Sequence, residues 1–178
     1  MNRRLAFPAI LASALAIGSA PAIGGDRDLI ARATLARADV VPAGTAAIRL
    51  RRGKPVLELD LAGLPQGLHG IHIHAVGRCE GPGAAFASAG PHLNPGGLKH
   101  GTSNPAGHHL GDLPNVTADR RGRVKARIAL DIDPGQLRTA LFDTDGAALV
   151  VHAGPDDYTT DPSGNSGARI ACGVLAGP

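Results

Sequence analysis

Short runs of alternating apolar and polar residues, separated by turns rich in glycine and proline, make up most of the chain. A side-chain period of two indicates β-strands with one face against a core. No helix of useful length is predicted, and residues 131–139 are interpreted as a turn-rich connection. Seven or eight short strands divided by turns predict an all-β fold, an antiparallel sandwich or flattened barrel. Regular structure resumes at residue 116 after a long gap, and the strands are predicted at residues 30–40, 46–51, 55–61, 68–75, 124–130, 147–153 and 169–175.

The strand at residues 68–75 carries the most informative alternation, because histidine and isoleucine take turns along it. His72 and His74 are therefore expected on one face, with Ile71 and Ile73 on the opposite face against the core. Two imidazoles on one face can bind a transition metal. His69 has the parity of the isoleucines, which places it inside the protein and away from the metal.

The segment from residue 77 to residue 115 lacks any long periodic run and is dominated by glycine, proline, serine, alanine and histidine. A loop of nearly forty residues in a small domain is either disordered or held by something other than an apolar core. It contains candidate metal ligands and a cysteine near its start: Cys79, His92, His100, His108, His109 and Asp112. A bound metal and a disulfide are expected to keep this segment ordered.

Length and composition narrow the class of protein. The chain has 178 residues, which suits one domain with a substantial core. Residues 1–20 have a basic start, a short apolar run and small residues at the end, and are interpreted as a removable signal peptide. The mature chain, residues 21–178, then forms a single domain. No later segment is apolar enough to be a membrane helix.

Charge gives no reason to expect nucleic acid as a partner. The formal net charge is +3, from 18 Lys and Arg against 15 Asp and Glu. Removal of Arg3 and Arg4 leaves 16 against 15, a net charge of +1. The two short arginine runs, at residues 49–52 and 120–123, have no interleaved aromatic residues on which bases could stack.

The chain contains two cysteines, Cys79 and Cys172. An even count in an exported protein suggests a disulfide. The alternative is a pair of free buried thiols. A bridge that closes so long a loop can contribute about 4 to 5 kcal/mol on the chain-entropy model.

Six stretches, in this order along the chain, resemble the copper/zinc superoxide dismutase family. The resemblance implies a Greek-key β-sandwich with long metal-binding loops. The short spacing between His74 and Cys79, together with the short segment from His152 to Arg169, resembles the bacterial periplasmic members. The matching stretches are residues 68–74, 88–95, 100–101, 109–115, 150–158 and 167–174.

The resemblance also implies roles for individual residues. His92 would bridge copper and zinc, Arg169 would attract and orient the substrate anion, and Asp156 would link a copper histidine to a zinc histidine. Asp157 is the neighbour that could be confused with Asp156, and His108 is a spare that could replace His109. The implied ligands are His72, His74, His92 and His152 for copper, and His92, His100, His109 and Asp112 for zinc.

The implied activity is the disproportionation of two superoxide anions and two protons to oxygen and hydrogen peroxide, with His92 and Arg169 as the catalytic residues. Three alternatives remain open at this stage: a copper-binding or copper-delivery module without catalysis, a metal-dependent hydrolase, and a structural exported sandwich. The protein is expected in the periplasm, and it is expected to form a homodimer as one possible assembly.

Overall fold

Antiparallel strand pairing organises most of the part of the chain that the computed structural model describes, residues 26–80 and 85–178. The predicted signal peptide lies outside these residues. Nine strands are found within them, and their bounds are Leu29–Arg37 (β1), Pro42–Arg51 (β2), Lys54–Leu61 (β3), Gly67–His69 (β4), Ile71–His74 (β5), Val116–Ala118 (β6), Val124–Ala129 (β7), Ala148–His152 (β8) and Arg169–Val174 (β9).

Seven of the strands form one curled sheet in the order β5-β8-β9-β1-β2-β3-β7, and β4 pairs with β6 in a second, two-stranded sheet. Each of these pairs is antiparallel. The pairs β5–β8, β9–β1 and β3–β7 join strands that are distant in sequence, which requires long connections across the fold. The predicted all-β, Greek-key class is confirmed.

The core lies inside the curl and follows from the alternation along each strand. In β3, Leu57, Leu59 and Leu61 are buried whereas Asp60 is exposed. Burial of one such leucine side chain contributes about 1.5 to 3 kcal/mol relative to leaving it exposed. The inner faces of β1 and β2 meet these leucines through Leu35 and Ile48, which are fully buried.

The histidine strand is interrupted at Gly70, so the single predicted strand is two strands, β4 and β5. The Gly70 amide donates to the Gly154 carbonyl at 2.8 Å, and its carbonyl accepts from the His152 amide at 2.8 Å. A Cβ at this position would lie 2.9 Å from the Ser166 Cβ atom. Glycine is therefore required where this strand turns away from β6 and passes to β8.

The prediction of a helix-free connection at residues 131–139 is wrong, because Pro134–Leu141 forms an α-helix (α1). The Asp133 carboxylate accepts hydrogen bonds from the Gly135 and Gln136 amides, which caps the first turn. Proline at the first helical position needs no amide partner. Leu137 and Leu141 then bury one face of the helix. The sequence carried the cap and proline signals, but the short length concealed the helical period.

The long connection between β5 and β6 contains no strand in its described part, and its regular structure there is one 3-10 turn, Ala87–Ala89. A disulfide between Cys79 and Cys172 ties the start of this connection to β9, across a sequence separation of 93 residues. The predicted disulfide is confirmed. None of the helices in the described part has the length and apolar character needed to cross a bilayer.

We predict that Leu57→Ala lowers the free energy of unfolding by about 2 to 5 kcal/mol, because it leaves a cavity in the centre of the core. Urea denaturation of the oxidised, metal-free protein measures the change. Leu68→Ala is the matched control, since Leu68 is 51% exposed, and we expect a loss below about 1 kcal/mol. Equal losses for the two variants would contradict this description of the core.

Candidate metal centre

Strands β5 and β8 lie side by side and bring three histidines to one place. His72 pairs with Val150 and His74 pairs with Ala148 in the antiparallel register, and His152 ends β8. Ile71 and Ile73 pack in the main apolar core, on the opposite face of β5. The alternation of β5 therefore directs its two imidazoles away from the core, as its sequence predicts.

The long connection returns to β5 and adds further side chains to the same place. Backbone bridges pair His74 with His92 and His72 with Asp112. The Leu93 amide donates to the Ile73 carbonyl at 2.8 Å, and the Ile73 amide donates to the Gly111 carbonyl at 2.9 Å. A Cβ on Gly111 would lie 2.9 Å from the Leu93 nitrogen, so this close approach of backbones requires glycine.

Four buried histidines form a first cluster in which one ring nitrogen of each lies within 4.8 Å of the others. Each contributes a nitrogen that has no hydrogen-bond partner. A buried polar atom without a partner is costly, so four of them around one point indicate a binding site for an electron-pair acceptor such as a metal ion. The four atoms are His72 Nδ1, His74 Nε2, His92 Nε2 and His152 Nε2.

The second nitrogen of each ring is hydrogen-bonded to an oxygen of the protein, which fixes the ring's orientation. Such partners are usual behind metal-binding histidines. The pairs are His72 Nε2 with Asp156 Oδ2 at 2.7 Å, His74 Nδ1 with the Gly90 carbonyl at 2.8 Å, His92 Nδ1 with Asp112 Oδ1 at 2.8 Å, and His152 Nδ1 with the Gly167 carbonyl at 3.1 Å.

A second cluster surrounds the Asp112 carboxylate and shares His92 with the first. His92 Nδ1 and His100 Nδ1 lie 2.8 Å and 3.0 Å from Asp112 Oδ1. His109 Nδ1 lies 3.2 Å from the same oxygen but makes no hydrogen bond. Three imidazoles and one carboxylate, all buried, thus offer four donor atoms to a second metal.

Hydrogen bonds keep the Asp112 carboxylate charged. Burial alone would raise the pKa of Asp112, but hydrogen bonds from His92 and from the Gly101 amide outweigh burial and hold the pKa well below its usual range. The His109 amide also donates to Asp112, at 3.0 Å. The carboxylate is therefore ready to act as an anionic ligand.

Asp156 lies between the two clusters. Its Oδ2 atom is 2.7 Å from His72 Nε2 and its Oδ1 atom is 3.0 Å from His100 Nε2. Burial would raise its pKa, but the hydrogen bonds from the two histidines lower it overall. Asp157, the neighbour that could be confused with Asp156, is exposed and hydrogen-bonds within its own loop to Thr160 and Asn165.

Arg169 is fixed beside the first cluster by two carbonyl groups. Its guanidinium donates to the Phe86 carbonyl and to the Gly90 carbonyl, both at 2.7 Å. The same Gly90 carbonyl also bonds the ring of His74. The disulfide at Cys172 lies three residues further along β9.

Burial keeps three histidines of the first cluster, His74, His92 and His152, uncharged at neutral pH. Burial lowers the pKa of His74 to about 2 and that of His152 to about 3, and the charge of Arg169 adds to both shifts. Burial lowers the pKa of His92 to about 4 against the opposing hydrogen bond to Asp112. Neutral imidazoles are the form that binds metals.

Two further histidines lie outside both clusters. His69 is buried, with its ring nitrogens 2.8 Å from the His152 carbonyl and 2.8 Å from the Pro65 carbonyl. The bond to the His152 carbonyl ties the end of β4 to the end of β8. His108 is exposed and belongs to no metal-competent group in the described residues.

The sequence reasoning missed residues that support the clusters. Asn115 hydrogen-bonds the backbone of Asp156, and the carbonyls of Phe86 and Gly90 hold Arg169. The only sequence signal for Asn115 was its place at the end of a matching stretch. Backbone carbonyl partners have no signal in a single sequence.

Comparison with known proteins places these clusters in a family. The model of the family described as copper/zinc superoxide dismutase matches residues 43–175. The chain belongs to the copper/zinc superoxide dismutase family. The family implies copper and zinc as cofactors, and the unpartnered nitrogens and donor sets of the two clusters fit these metals.

Individual relatives agree with the family match. The chain is 40% identical over 153 residues to superoxide dismutase [Cu-Zn] 2 of Aquifex aeolicus, covering 84% of this chain and 88% of that protein. It is 43% identical over 124 residues to superoxide dismutase [Cu-Zn] of Caulobacter vibrioides, covering 67% of this chain and 70% of that protein.

Two solved structures also resemble this member of the dismutase family. A superoxide dismutase-like protein from Bacillus subtilis gives a TM-score of 0.74 at 36% identity, covering 82% of this chain and 97% of that chain. The copper/zinc superoxide dismutase of Brucella abortus gives 0.65 at 28% identity, covering 82% and 98%.

We predict that the metal-free protein loses stability as the pH falls from about 6.5 towards 4. The pKa values of His74, His92 and His152 are lowered on folding, so the unfolded chain takes up protons first, near the ordinary histidine pKa of about 6.5. Each histidine contributes a slope of at most about 1.4 kcal/mol per pH unit. Urea denaturation in EDTA at pH 7.5, 6.0 and 5.0 measures the slope.

Substitutions identify the groups responsible for the slope. His74→Gln removes a titrating group with a lowered pKa and is expected to flatten it. His108→Gln is the matched control, because His108 is exposed, and it is expected to leave the slope unchanged. Stability that is flat or rises between pH 7 and pH 5 would contradict the assignment.

Proposed function

We propose that this chain is a superoxide dismutase that uses copper for catalysis and zinc for structure. It converts two superoxide anions and two protons into one molecule of oxygen and one of hydrogen peroxide. The observation that carries the proposal is the position of His92, whose Nε2 atom belongs to the four-histidine cluster while its Nδ1 atom belongs to the cluster around Asp112. Relatives at 40–43% identity are named for this activity.

The donor atoms of the two clusters suit different metals. Four imidazole nitrogens suit copper, and three imidazoles with one carboxylate form a closed ligand set that suits zinc. The ligands of copper are then His72, His74, His92 and His152, and those of zinc are His92, His100, His109 and Asp112. When bound, copper supplies one-electron chemistry by alternating between Cu²⁺ and Cu⁺.

Zinc ligands hold the long connection against the sheet. His92, His100, His109 and Asp112 all belong to this connection, and its described part lacks strands of its own. Ligation at four points replaces the apolar core that a segment of this composition cannot form. Before zinc binds, the carboxylate of Asp112 already orients His92 through its Nδ1 atom.

Arg169 supplies the positive charge that draws the substrate in. Its guanidinium is half-buried, fixed by two carbonyls, and close enough to lower the pKa of His74 and His152 by its charge. Burial lowers the pKa of Arg169 itself, but an arginine stays charged in proteins. A fixed guanidinium can bind and orient a small anion through its remaining N–H groups.

His92 carries a proton to the product. In the metal-free protein its pKa of about 4 makes the ring neutral at pH 7, and its Nδ1–H donates to Asp112. That proton on Nδ1 would be replaced by zinc. The lone pair of Nε2 then points into the first cluster. With zinc in place of the Nδ1 proton, Nε2 would be the nitrogen that takes up a proton from solvent and gives it to the reduced substrate, beside the anion that Arg169 would hold.

A copper-binding module without catalysis is the second candidate, and similarity to the superoxide dismutase-like protein of Bacillus subtilis supports it. Such a module can dispense with a copper ligand, with the shared imidazole or with the arginine. This chain has a residue for each of the three, which favours the enzyme.

We further propose export to the periplasm by the signal peptide at residues 1–20, with residues 21–178 as the mature domain. The disulfide between Cys79 and Cys172 supports an oxidising compartment. Superoxide is the proposed substrate. Homodimer formation stays a prediction.

We predict that the mature protein, loaded with copper and zinc, disproportionates superoxide rapidly and that His92→Ala lowers the rate at least about 100-fold at equal bound copper. The variant loses the proton carrier and the shared ligand.

Arg169→Gln is expected to lower kcat/KM about 10-fold or more and to weaken its dependence on ionic strength. Pulse radiolysis with total-metal analysis measures both.

Arg127→Gln is the matched control for the arginine, because the side chain of Arg127 is 79% exposed on β7. It is expected to leave kcat/KM within about two-fold. A folded wild-type protein with both metals bound and no turnover would overturn the dismutase proposal and favour the copper-binding module.

A further inference from the structure

The Asp156 carboxylate connects one ligand from each proposed metal site. Its two oxygens bond the outer ring nitrogens of His72, a proposed copper ligand, and of His100, a proposed zinc ligand. Small displacements of Asp156 therefore change the orientation of both rings. The position of the Asp156 backbone therefore affects the geometry of both proposed metal sites.

Asn115 holds that backbone on both sides. The Asp156 amide donates to Asn115 Oδ1 at 2.8 Å, and Asn115 Nδ2 donates to the Asp156 carbonyl at 2.9 Å. Among the described residues, no other group bonds the amide or the carbonyl of Asp156. The residue lies in a loop, so one amide side chain takes the place that a neighbouring strand would have.

The pair of hydrogen bonds from Asn115 to Asp156, here called the clamp, lies close in sequence to the proposed zinc ligand Asp112. Asn115 follows Asp112 by three residues, through the buried Leu113 and a proline. The Asn115 amide donates to the Tyr158 hydroxyl at 2.8 Å. One short segment thus carries a proposed zinc ligand at one end and the hold on Asp156 at the other.

The opposite side of the carboxylate leaves little room for it to move. A Cβ on Gly164 would lie 2.7 Å from His100 Nε2 and would overlap the Asp156 carboxylate. The Tyr158 amide donates to Asp156 Oδ1 at 2.7 Å. The backbone of Gly164 and the Tyr158 amide therefore confine the carboxylate, whereas Asn115 holds the Asp156 backbone through both its amide and its carbonyl. The next amide, that of Asp157, donates to the Gly164 carbonyl at 2.9 Å.

We propose that Asn115 is a positioning residue that couples the two metal sites by fixing Asp156 relative to Asp112. This inference rests on the ligand sets of the proposed function. Asn115 belongs to neither proposed ligand set, and its effect passes through Asp156 to His72 on one side and to His100 on the other.

Asn115→Ala removes both bonds to Asp156, and Asn94→Ala is the matched control. Asn94 makes the same reciprocal pair, with the Leu98 amide at 3.0 Å and the Leu98 carbonyl at 2.8 Å, in the same long connection. Each protein is loaded with copper and zinc and checked for equal metal content. The rate of zinc loss to excess EDTA and the visible and EPR spectra of Cu²⁺ are then measured.

Loss of a partner behind a ligand typically costs about 10- to 100-fold in metal affinity. We expect Asn115→Ala to lose zinc about 10-fold faster and to shift the Cu²⁺ spectra, whereas Asn94→Ala stays within about two-fold with unchanged spectra. In an Asp156→Ala background, Asn115→Ala is expected to add less than about two-fold, because the two changes act through one carboxylate.

Three results would overturn the proposal: unchanged zinc loss, faster zinc loss with unchanged copper spectra, or a full 10-fold effect of Asn115→Ala in the Asp156→Ala background. The last two would reduce Asn115 to a structural loop residue. If Asn115→Ala does not fold, Asn115→Asp replaces it, since that change keeps the acceptor and removes the donor. Failure of the proposed function would be visible separately, as a wild-type protein that does not bind two metals or does not react with superoxide.

Discussion

Each histidine of the four-membered cluster has one ring nitrogen bonded to an oxygen of the protein, and the centre depends on this constraint. Two of the oxygens are backbone carbonyls and two belong to the carboxylates of Asp112 and Asp156. Because one nitrogen is taken, the other is forced to face its neighbours without a partner. The fold therefore builds a preorganised donor set before any metal binds, and the cost of four buried unpartnered nitrogens makes metal binding favourable.

The sheet and the long connection supply different residues of this centre. Strands β5 and β8 place three histidines through their pairing register, which the apolar core behind them stabilises. The long connection supplies the remaining ligands, and its described part has almost no regular structure. It is attached by the disulfide and by backbone bonds to β5. The proposed metal ligation would link metal binding to the folding of the connection, whereas the sheet has its own core.

Local rules predicted the parts of the fold that depend on neighbouring residues. The period of two placed His72 and His74 together, and turn residues bounded most strands. The same rules missed α1, because eight residues are too few to show a helical period. They also missed the break at Gly70, where the backbone bonds Gly154 and His152 and the approach of Ser166 leaves no room for a Cβ. The meeting of His92 and Asp112 with β5 depends on contacts between distant segments, so only the family resemblance predicted it. The clamp at Asn115 required the structure.

The central claim is that one imidazole serves two metals, and anomalous diffraction tests it most directly. Crystals of the protein loaded with Cu²⁺ and Zn²⁺ are measured at both absorption edges, at a dose low enough to keep copper oxidised. The account predicts a copper peak among His72, His74, His92 and His152 and a zinc peak among His92, His100, His109 and Asp112. The zinc peak should lie about 2.0 to 2.1 Å from His92 Nδ1, with the copper peak beside His92 Nε2. A His92 that binds only one of the two metals, or a single metal in place of two, would contradict it.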